Sequence, residues 1–232
     1  MSIIQIKYAS SQNRVGSTAM TSVDKNFDRL SKAAYESQFL QHGAMPEGVH
    51  WVGSERQNLR FQLLLKTILD HSNIREKSIA DVGCGYGALA EYIKYNIDTK
   101  QLKYFGYDIS DQLISHCSKN IDYKWADFKV RKSPHKKVDY CVMSGTYNLA
   151  MTSNVQQWED YVFGCLDHCW KQTRKLMIFN LQISKFSFIS KGSIFYASER
   201  KTLSKCISMF GPTEIVQHSL LSKDAMFIVK KV

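Results

Sequence analysis

The sequence predicts an α/β fold built on a mostly parallel sheet, and three observations carry that prediction. First, Ile79 to Val82 reads as a buried strand that runs into a turn with Gly83, Gly85 and Gly87, and then into helical spacing through Leu89, Tyr92 and Ile93. Second, strand and helix patterns alternate from Ile79 onward, which implies parallel strands, right-handed crossovers and helices on both faces. Third, the chain closes on two strand patterns, Glu214 to Leu220 and Ala225 to Lys230, which read as a hairpin with an antiparallel last strand.

The elements follow in order. Residues 1–23 are polar, with Ser10, Ser11, Gln12, Asn13, Gly16 and Ser17 clustered, and read as a mobile arm. Asp24 to Gln41 reads as a helix with Phe27, Leu30, Ala34 and Phe39 on one side, broken by Gly43, Pro46 and Gly48. Ser54 and Glu55 open a second helix whose apolar stripe is Phe61, Leu64, Leu65 and Ile68. Together these helices read as an N-terminal cap over residues 24–75, and residues 76–232 as the α/β domain. Lys103 to Asp108 is a second strand, after which Ser110 caps a helix that buries Leu113 and Ile114. Tyr123 to Phe128 covers a third strand and its exit. Val138 to Met143 is a fourth, with Ser144 to Asn148 as the loop beyond it. Val155 to Cys169 is helical, with Trp158, Val162, Cys165 and Cys169 at one-turn spacings. Leu176 to Leu181 is a fifth strand ending near Asn180, and Ser198 to Phe210 is a helix stopped by Gly211 and Pro212.

The glycine turn is the chemical centre of the sequence. Glycines let the backbone bend tightly and let a ligand approach main-chain N–H groups, and the next helix aims its positive end there. A dinucleotide fingerprint would space its glycines as G-x-G-x-x-G. Here the third glycine falls one place early, and Asp81 sits two residues before the first. A carboxylate is a poor neighbour for a pyrophosphate and a good one for an ammonium group. The run Asp81-Val82-Gly83-Cys84-Gly85-Tyr86-Gly87 resembles motif I of class I S-adenosylmethionine-dependent methyltransferases, (D/E)-x-G-x-G-x-G, and matches it completely.

That resemblance implies a single doubly wound, mostly parallel seven-stranded sheet with an antiparallel C-terminal strand, helices on both faces and N-terminal cap helices. It implies S-adenosylmethionine as cofactor, S-adenosylhomocysteine as product and no metal. By the family pattern, Asp81, Gly83, Cys84, Gly85, Tyr86 and Gly87 bind the cofactor. Asp108, some 25 residues after Gly83, takes the ribose hydroxyls, with Ile109 beside it. Asp127 and Phe128 take the positions that contact the adenine amine and ring, although an acid and an aromatic in a surface loop is an equally open reading. Ser144 to Asn148 lies where the transferable methyl sits, so Ser144 joins the cofactor set, and Tyr147 and Asn148 become candidates for orienting the acceptor. Trp51, beside Gly53, suits a lid over the site. Gln57, Arg60 and Leu64 share a helix face, and Arg60 is a candidate for the methionine carboxylate. The alternative leaves Trp51 in the core and Arg60 paired with an acid. His42, His50 and His218 are candidate general bases, with His218 chosen because the closing hairpin brings it toward the pocket.

Composition narrows the reaction. The chain has 232 residues with 44% hydrophobic content and no apolar run of membrane-spanning length, so one soluble, cytoplasmic domain without a membrane partner is expected. Its six cysteines form no C-x-x-C pair and no disulfide framework. The loop after the fourth strand lacks the double proline of amino-methylating nucleic-acid enzymes, and no cysteine stands there as a nucleophile. The expected reaction is methyl transfer to an oxygen or nitrogen of a small-molecule acceptor. A net charge of +10 makes anionic acceptors compatible and raises RNA as an alternative. The densest basic run, Lys129 to Lys137, has no interleaved aromatics and reads as a solvated loop. A non-catalytic cofactor-binding protein is the other alternative.

Overall fold

A computed structural model describes residues 3–4, 21–51, 53–71 and 77–231. The mobile arm expected over residues 1–23 lies almost wholly outside the described residues. Within it, Ile3–Ile4 form a short strand β1. Helix α1 (Ser22–His42) starts at Thr21, whose side chain accepts from the Asp24 N–H while the Asp24 carboxylate accepts from the Thr21 N–H. This reciprocal capping box satisfies two of the orphan donors of the first turn. A 3-10 turn, Pro46–Val49, leads to α2 (Ser54–His71).

The alternating part follows as β2 (Lys77–Val82), α3 (Ala88–Asn96), β3 (Leu102–Asp108), α4 (Asp111–Asn120), β4 (Ala126–Val130), β5 (Val138–Met143), α5 (Val155–Gln172) and β6 (Thr173–Ser184). Two short strands, β7 (Phe188–Ile189) and β8 (Phe195–Ser198), precede α6 (Glu199–Met209). The chain ends in β9 (Thr213–Gln217) and β10 (Asp224–Lys230). The sheet runs β1-β9-β10-β6-β5-β2-β3-β4. Strands β4, β3, β2, β5 and β6 are parallel, and β10 is antiparallel to both β6 and β9. These seven strands are the expected sheet. β1, β7 and β8 extend it.

Apolar side chains alternate between two buried layers. One gathers Val82, Tyr107, Cys141, Phe179 and Phe227 under α5, with Trp158 and Leu166. The other gathers Ile79, Tyr104, Tyr140, Val142 and Ile178 under α2 and α3, with Leu64, Ile68, Leu89 and Ile93. β2 pairs with β3 on one side and β5 on the other. The strand order therefore reverses between β2 and β5, and the carboxyl ends of these strands open a crevice there.

One strand starts later than the sequence predicts. Tyr123 to Ala126 is a turn, closed by the Ala126 N–H on the Tyr123 carbonyl at 2.8 Å. The Tyr123 and Trp125 rings stack at 5.2 Å, and Lys94 of α3 lies over Tyr123. The strand itself is Ala126–Val130, so the chain leaves it at Arg131 and not at Asp127. Gly106 faces this strand closely. A β-carbon there would run into the Phe128 ring and come within 3.1 Å of the Cys84 sulfur. Gly106→Val is expected to lower the melting temperature clearly, because overpacking a fixed core costs about 1–3 kcal/mol; thermal denaturation followed by circular dichroism checks it.

Candidate active site

The turn after β2 supplies the floor of the site. Gly83, Gly85 and Gly87 have φ of 75°, 56° and 88°, a left-handed conformation that a side chain resists. Gly83 also abuts Thr146, whose side-chain atoms lie 2.6 Å from where a β-carbon would stand. The turn is tied to the next strand: the Gly83 and Cys84 N–H groups donate to the Tyr107 carbonyl at 2.7 and 3.0 Å. The Gly85 N–H donates to the Asp108 carboxylate at 3.0 Å, and the Ser110 N–H donates to its other oxygen at 2.9 Å. These bonds draw the Asp108 pKa down, but burial outweighs them and it lies above the usual carboxylate range.

Asp81 is 3% exposed at the root of the turn. It accepts a 2.6 Å hydrogen bond from the Tyr104 hydroxyl. Burial pushes its pKa up to about 7, with the charge of Asp108 adding to the shift and the Tyr104 bond opposing it. Two buried carboxyls thus border one cavity, and neither is in an ion pair among the described residues.

That cavity lies over the switch point and encloses about 970 Å³ counted to its open mouth. Asp81, Gly83, Cys84, Gly85, Tyr86, Asp108, Ile109, Ser144, Tyr147 and Trp51 line it, so ten of the sequence candidates meet there. Ser144 brings to its wall a buried hydroxyl oxygen that has no hydrogen-bond partner. Tyr86 reaches back to Gln57 through a 3.1 Å hydroxyl bond. Helix α1 roofs the far side with Ser31 and Tyr35. It is held down by the Ser110 hydroxyl on Glu36 at 2.9 Å and by Asp28, which takes Lys132 at 3.2 Å and the Tyr161 hydroxyl at 2.7 Å.

Several candidates stand elsewhere. Gly87 is the N-cap of α3, packed close to Ile121 and Cys117. Asp127 sits within β4, pairs with Lys129 at 2.9 Å and does not line the cavity. Phe128 is likewise inside β4, its ring turned against Tyr104 and Gly106. The later start of β4 removes both from the strand exit. Asn148 uses its side-chain oxygen to accept from the Gln182 N–H and its carbonyl to accept from Phe195. Those bonds fix a loop and leave it off the cavity wall.

Arg60 is turned away from this cavity. It forms an ion pair with buried Asp224, and its guanidinium lies over the Trp51 ring at 4.2 Å. Asp224 also accepts from Asn180 and Gln182, and Asn180 in turn accepts from the Gly145 N–H at 2.7 Å. The pairing with an acid replaces the carboxylate contact expected from the sequence. His218 belongs to the small neighbouring cavity that Arg60, Asn180 and Asp224 line. His42 and His50 are exposed on α1 and after the 3-10 turn, and the His50 ring meets Tyr35 edge-on at 5.1 Å.

Sequence reasoning missed part of the wall. Ser31 and Tyr35 are one turn apart on α1, so helical spacing from Phe27 held that signal. Arg131 and Lys132 line the cavity because β4 ends later than its apolar pattern suggests. The basic run is accordingly no free loop: Lys132 pairs with Asp28, and Lys136 lies over the Phe105 ring at 3.8 Å.

A glycine turn at the switch point, an acid at its root and a second acid at the next strand tip are the arrangement that the motif resemblance leads one to expect. The comparisons with known proteins agree. The chain is 26% identical over 159 residues to the Mycobacterium tuberculosis (strain ATCC 25618 / H37Rv) protein named "Putative methyltransferase Rv1506c", covering 66% of this chain and 93% of that one. Its fold is similar to that of magnesium protoporphyrin IX methyltransferase from Synechocystis PCC 6803, solved with bound S-adenosylmethionine. That match has a TM-score of 0.60 and 11% identity over 93% of this chain and all of the other. It is also similar to a Leishmania major S-adenosylmethionine-dependent methyltransferase, at a TM-score of 0.59 and 13% identity over 87% and 83% of the two chains. No family model matches. In fold the chain is like the class I S-adenosylmethionine-dependent methyltransferases, and in sequence it is similar to a protein named a putative methyltransferase.

The residues present fit that cofactor. Two buried carboxyls call for a cation and for hydroxyl donors, and the orphaned Ser144 oxygen calls for a polar partner. Among the described residues, no cluster of three or more His, Cys, Asp or Glu is placed to hold a metal. None of their helices is long and apolar enough to cross a membrane. Gly83→Ala is expected to push Thr146 and its loop out of place and weaken cofactor binding while the chain stays folded. Calorimetry with S-adenosylhomocysteine, beside a circular dichroism melt, checks both halves.

Proposed function

We propose that the chain methylates an oxygen or nitrogen of a small-molecule acceptor within the main cavity. The observation that carries this reading is enclosure: α1, Trp51 and the loop after β5 wall the carboxylate-lined cleft on three sides. Asp81 would hold the ammonium of S-adenosylmethionine, and Asp108 its ribose hydroxyls. Ile109 and Tyr35 would flank the nucleoside, and Trp51 would cover the site. The bound cofactor supplies a methyl group on an activated sulfonium. The protein's part is then to align an acceptor lone pair behind that methyl. Ser144 is the unpartnered polar group available to orient the acceptor, with Tyr147 beside it. Burial holds the Tyr147 hydroxyl protonated far above the usual tyrosine range, so it would act as a hydrogen-bond donor and not as a base. Six buried free cysteines suit a reducing compartment such as the cytoplasm.

The Asp81 carboxyl gives this reading a pH signature. Its pKa of about 7 means it is protonated at low pH in the free protein. An ammonium beside it favours the ionised form, so cofactor affinity rises with pH and levels off above about 7. Isothermal titration at several pH values checks this, and Asp81→Asn is expected to flatten the profile.

The acceptor class is tested with methyl-labelled S-adenosylmethionine and a cell extract split into small-molecule and RNA fractions. Label entering the small-molecule fraction is the expected outcome. Label entering RNA alone would replace this reading, and cofactor binding without transfer to either would leave a non-catalytic binder.

A further inference from the structure

The excursion between β6 and α6 has no role in the site described so far. Its hairpin, β7 with β8, is bound directly to the loop that walls the main cavity. The Ala150 N–H donates to the Ser193 carbonyl, the Phe195 N–H donates to the Asn148 carbonyl, both at 2.8 Å, and Leu149 bridges to Ile194. The same loop, four residues earlier, is Ser144 to Tyr147 on the cavity wall. The hairpin also pairs alongside the carboxyl end of β6, where Gln182, Ile183 and Ser184 lie parallel to Tyr196, Ala197 and Ser198. It therefore stands at the mouth edge of the sheet, where an acceptor would extend outward.

Its outer surface combines two chemistries. Phe186 is 71% exposed and Phe188 is 44% exposed, a costly display for a soluble surface. Phe188 stacks on Tyr196 with ring centroids 4.7 Å apart and planes 8° from parallel. Lys185 lies over Phe186 and Lys223 over Tyr196. Beside these rings an open groove runs to α6, lined by Lys185, Arg200, Lys201 and Lys205. Lys201 and Lys205 are paired with Glu159 and Asp160, whereas Lys185 and Arg200 have no carboxylate partner among the described residues. Glu199, the acid of the groove, is engaged by Gln217.

We propose that this platform binds a nucleotide: a base on the exposed Phe186 and Phe188 faces, and its phosphates on Lys185 and Arg200. Flat exposed rings stack any base, and adjacent unpaired cations hold phosphate, the combination that recognises nucleotides without reading their sequence. Under the small-acceptor reading, which this inference rests on, the nucleotide is a handle on the acceptor and leaves its far end free to reach Ser144. A single-stranded RNA would present the same chemistry from another source.

The test titrates the full-length protein with UDP, ADP and a fluorescent twelve-nucleotide oligouridylate, all under saturating S-adenosylhomocysteine so that the main cavity cannot take the probe. Three variants are compared with the parent: Phe186→Ala, Lys185→Gln with Arg200→Gln, and Lys100→Gln in the turn that precedes β3. Binding of UDP or ADP, weakened about fivefold or more by the platform variants and unchanged by Lys100→Gln, is the expected result. Binding of the oligouridylate alone with the same variant pattern would support the platform and identify RNA as its ligand. No binding of any probe, or a loss as large in Lys100→Gln as in the platform variants, would overturn it. S-adenosylhomocysteine is titrated first into the protein without any probe, so failure of the methyltransferase reading shows separately as a cavity that takes no cofactor.

Discussion

Asp81→Ala is expected to weaken S-adenosylmethionine binding by about 30-fold or more, the loss expected when one partner of a buried charge pair is removed. The physical reason is that the carboxylate is buried and in no ion pair among the described residues. Tyr104 donates one hydrogen bond to it, and the like-signed charge of Asp108 raises its pKa further. The site therefore stores an unfavourable ionisation that an ammonium relieves. A second consequence separates this from simple structural damage. The folded pKa of about 7 lies above the ordinary aspartate value of 3.8. Folding then favours the protonated acid, and stability falls as pH rises from about 4 through 7. Asp81→Asn keeps the shape and removes that cost, so at pH 8 the free variant is expected to melt higher than the parent while binding cofactor more weakly. A variant that both melts lower and binds less would mean that Asp81 serves the fold.

Arg60→Ala is expected to cost about 3–5 kcal/mol of stability, because it strands a buried carboxylate. That is a large part of the total for a domain of this size. Asp224 is raised by burial and held back chiefly by Arg60, so removing the guanidinium sends it further up. Arg60 itself is partly desolvated and lies against Trp51. Replacing both partners, Arg60→Leu with Asp224→Leu, is expected to recover part of the loss, since no buried charge is stranded while the Asn180 and Gln182 amides lose their acceptor. Urea denaturation of the two variants measures the difference. In whichever variant folds, S-adenosylhomocysteine affinity should change little. A large loss of affinity in the stable double variant would return Arg60 to the cofactor carboxylate.

The parts of the site legible in the sequence were those fixed by local backbone chemistry. Gly83, Gly85 and Gly87 take positive φ, which favours glycine, and Asp81 and Asp108 stood out once the motif resemblance and the spacing were combined. Ser110 was readable as a cap, and its hydroxyl does accept from the Leu113 N–H at 3.2 Å. What depended on tertiary register was not legible. Tyr123 to Phe128 has the composition of a strand, yet a stacked aromatic pair against α3 delays the strand and shifts its exit to Arg131. That shift exchanged Asp127 and Phe128 for Arg131 and Lys132 at the cavity. Arg60 shares a helix face with Gln57, but the two point into different cavities because Asp224, on the last strand, pulls the guanidinium across. No local pattern encodes a partner 164 residues away. The β7 and β8 hairpin escaped notice because its strands are too short to show alternation.

The most direct test of the site assignment is a crystal structure of the protein grown with S-adenosylhomocysteine. The account predicts the ribose hydroxyls on Asp108, the homocysteine amine beside Asp81, and Arg60 still paired with Asp224. Product bound elsewhere, or bound with its amine remote from Asp81, would contradict it.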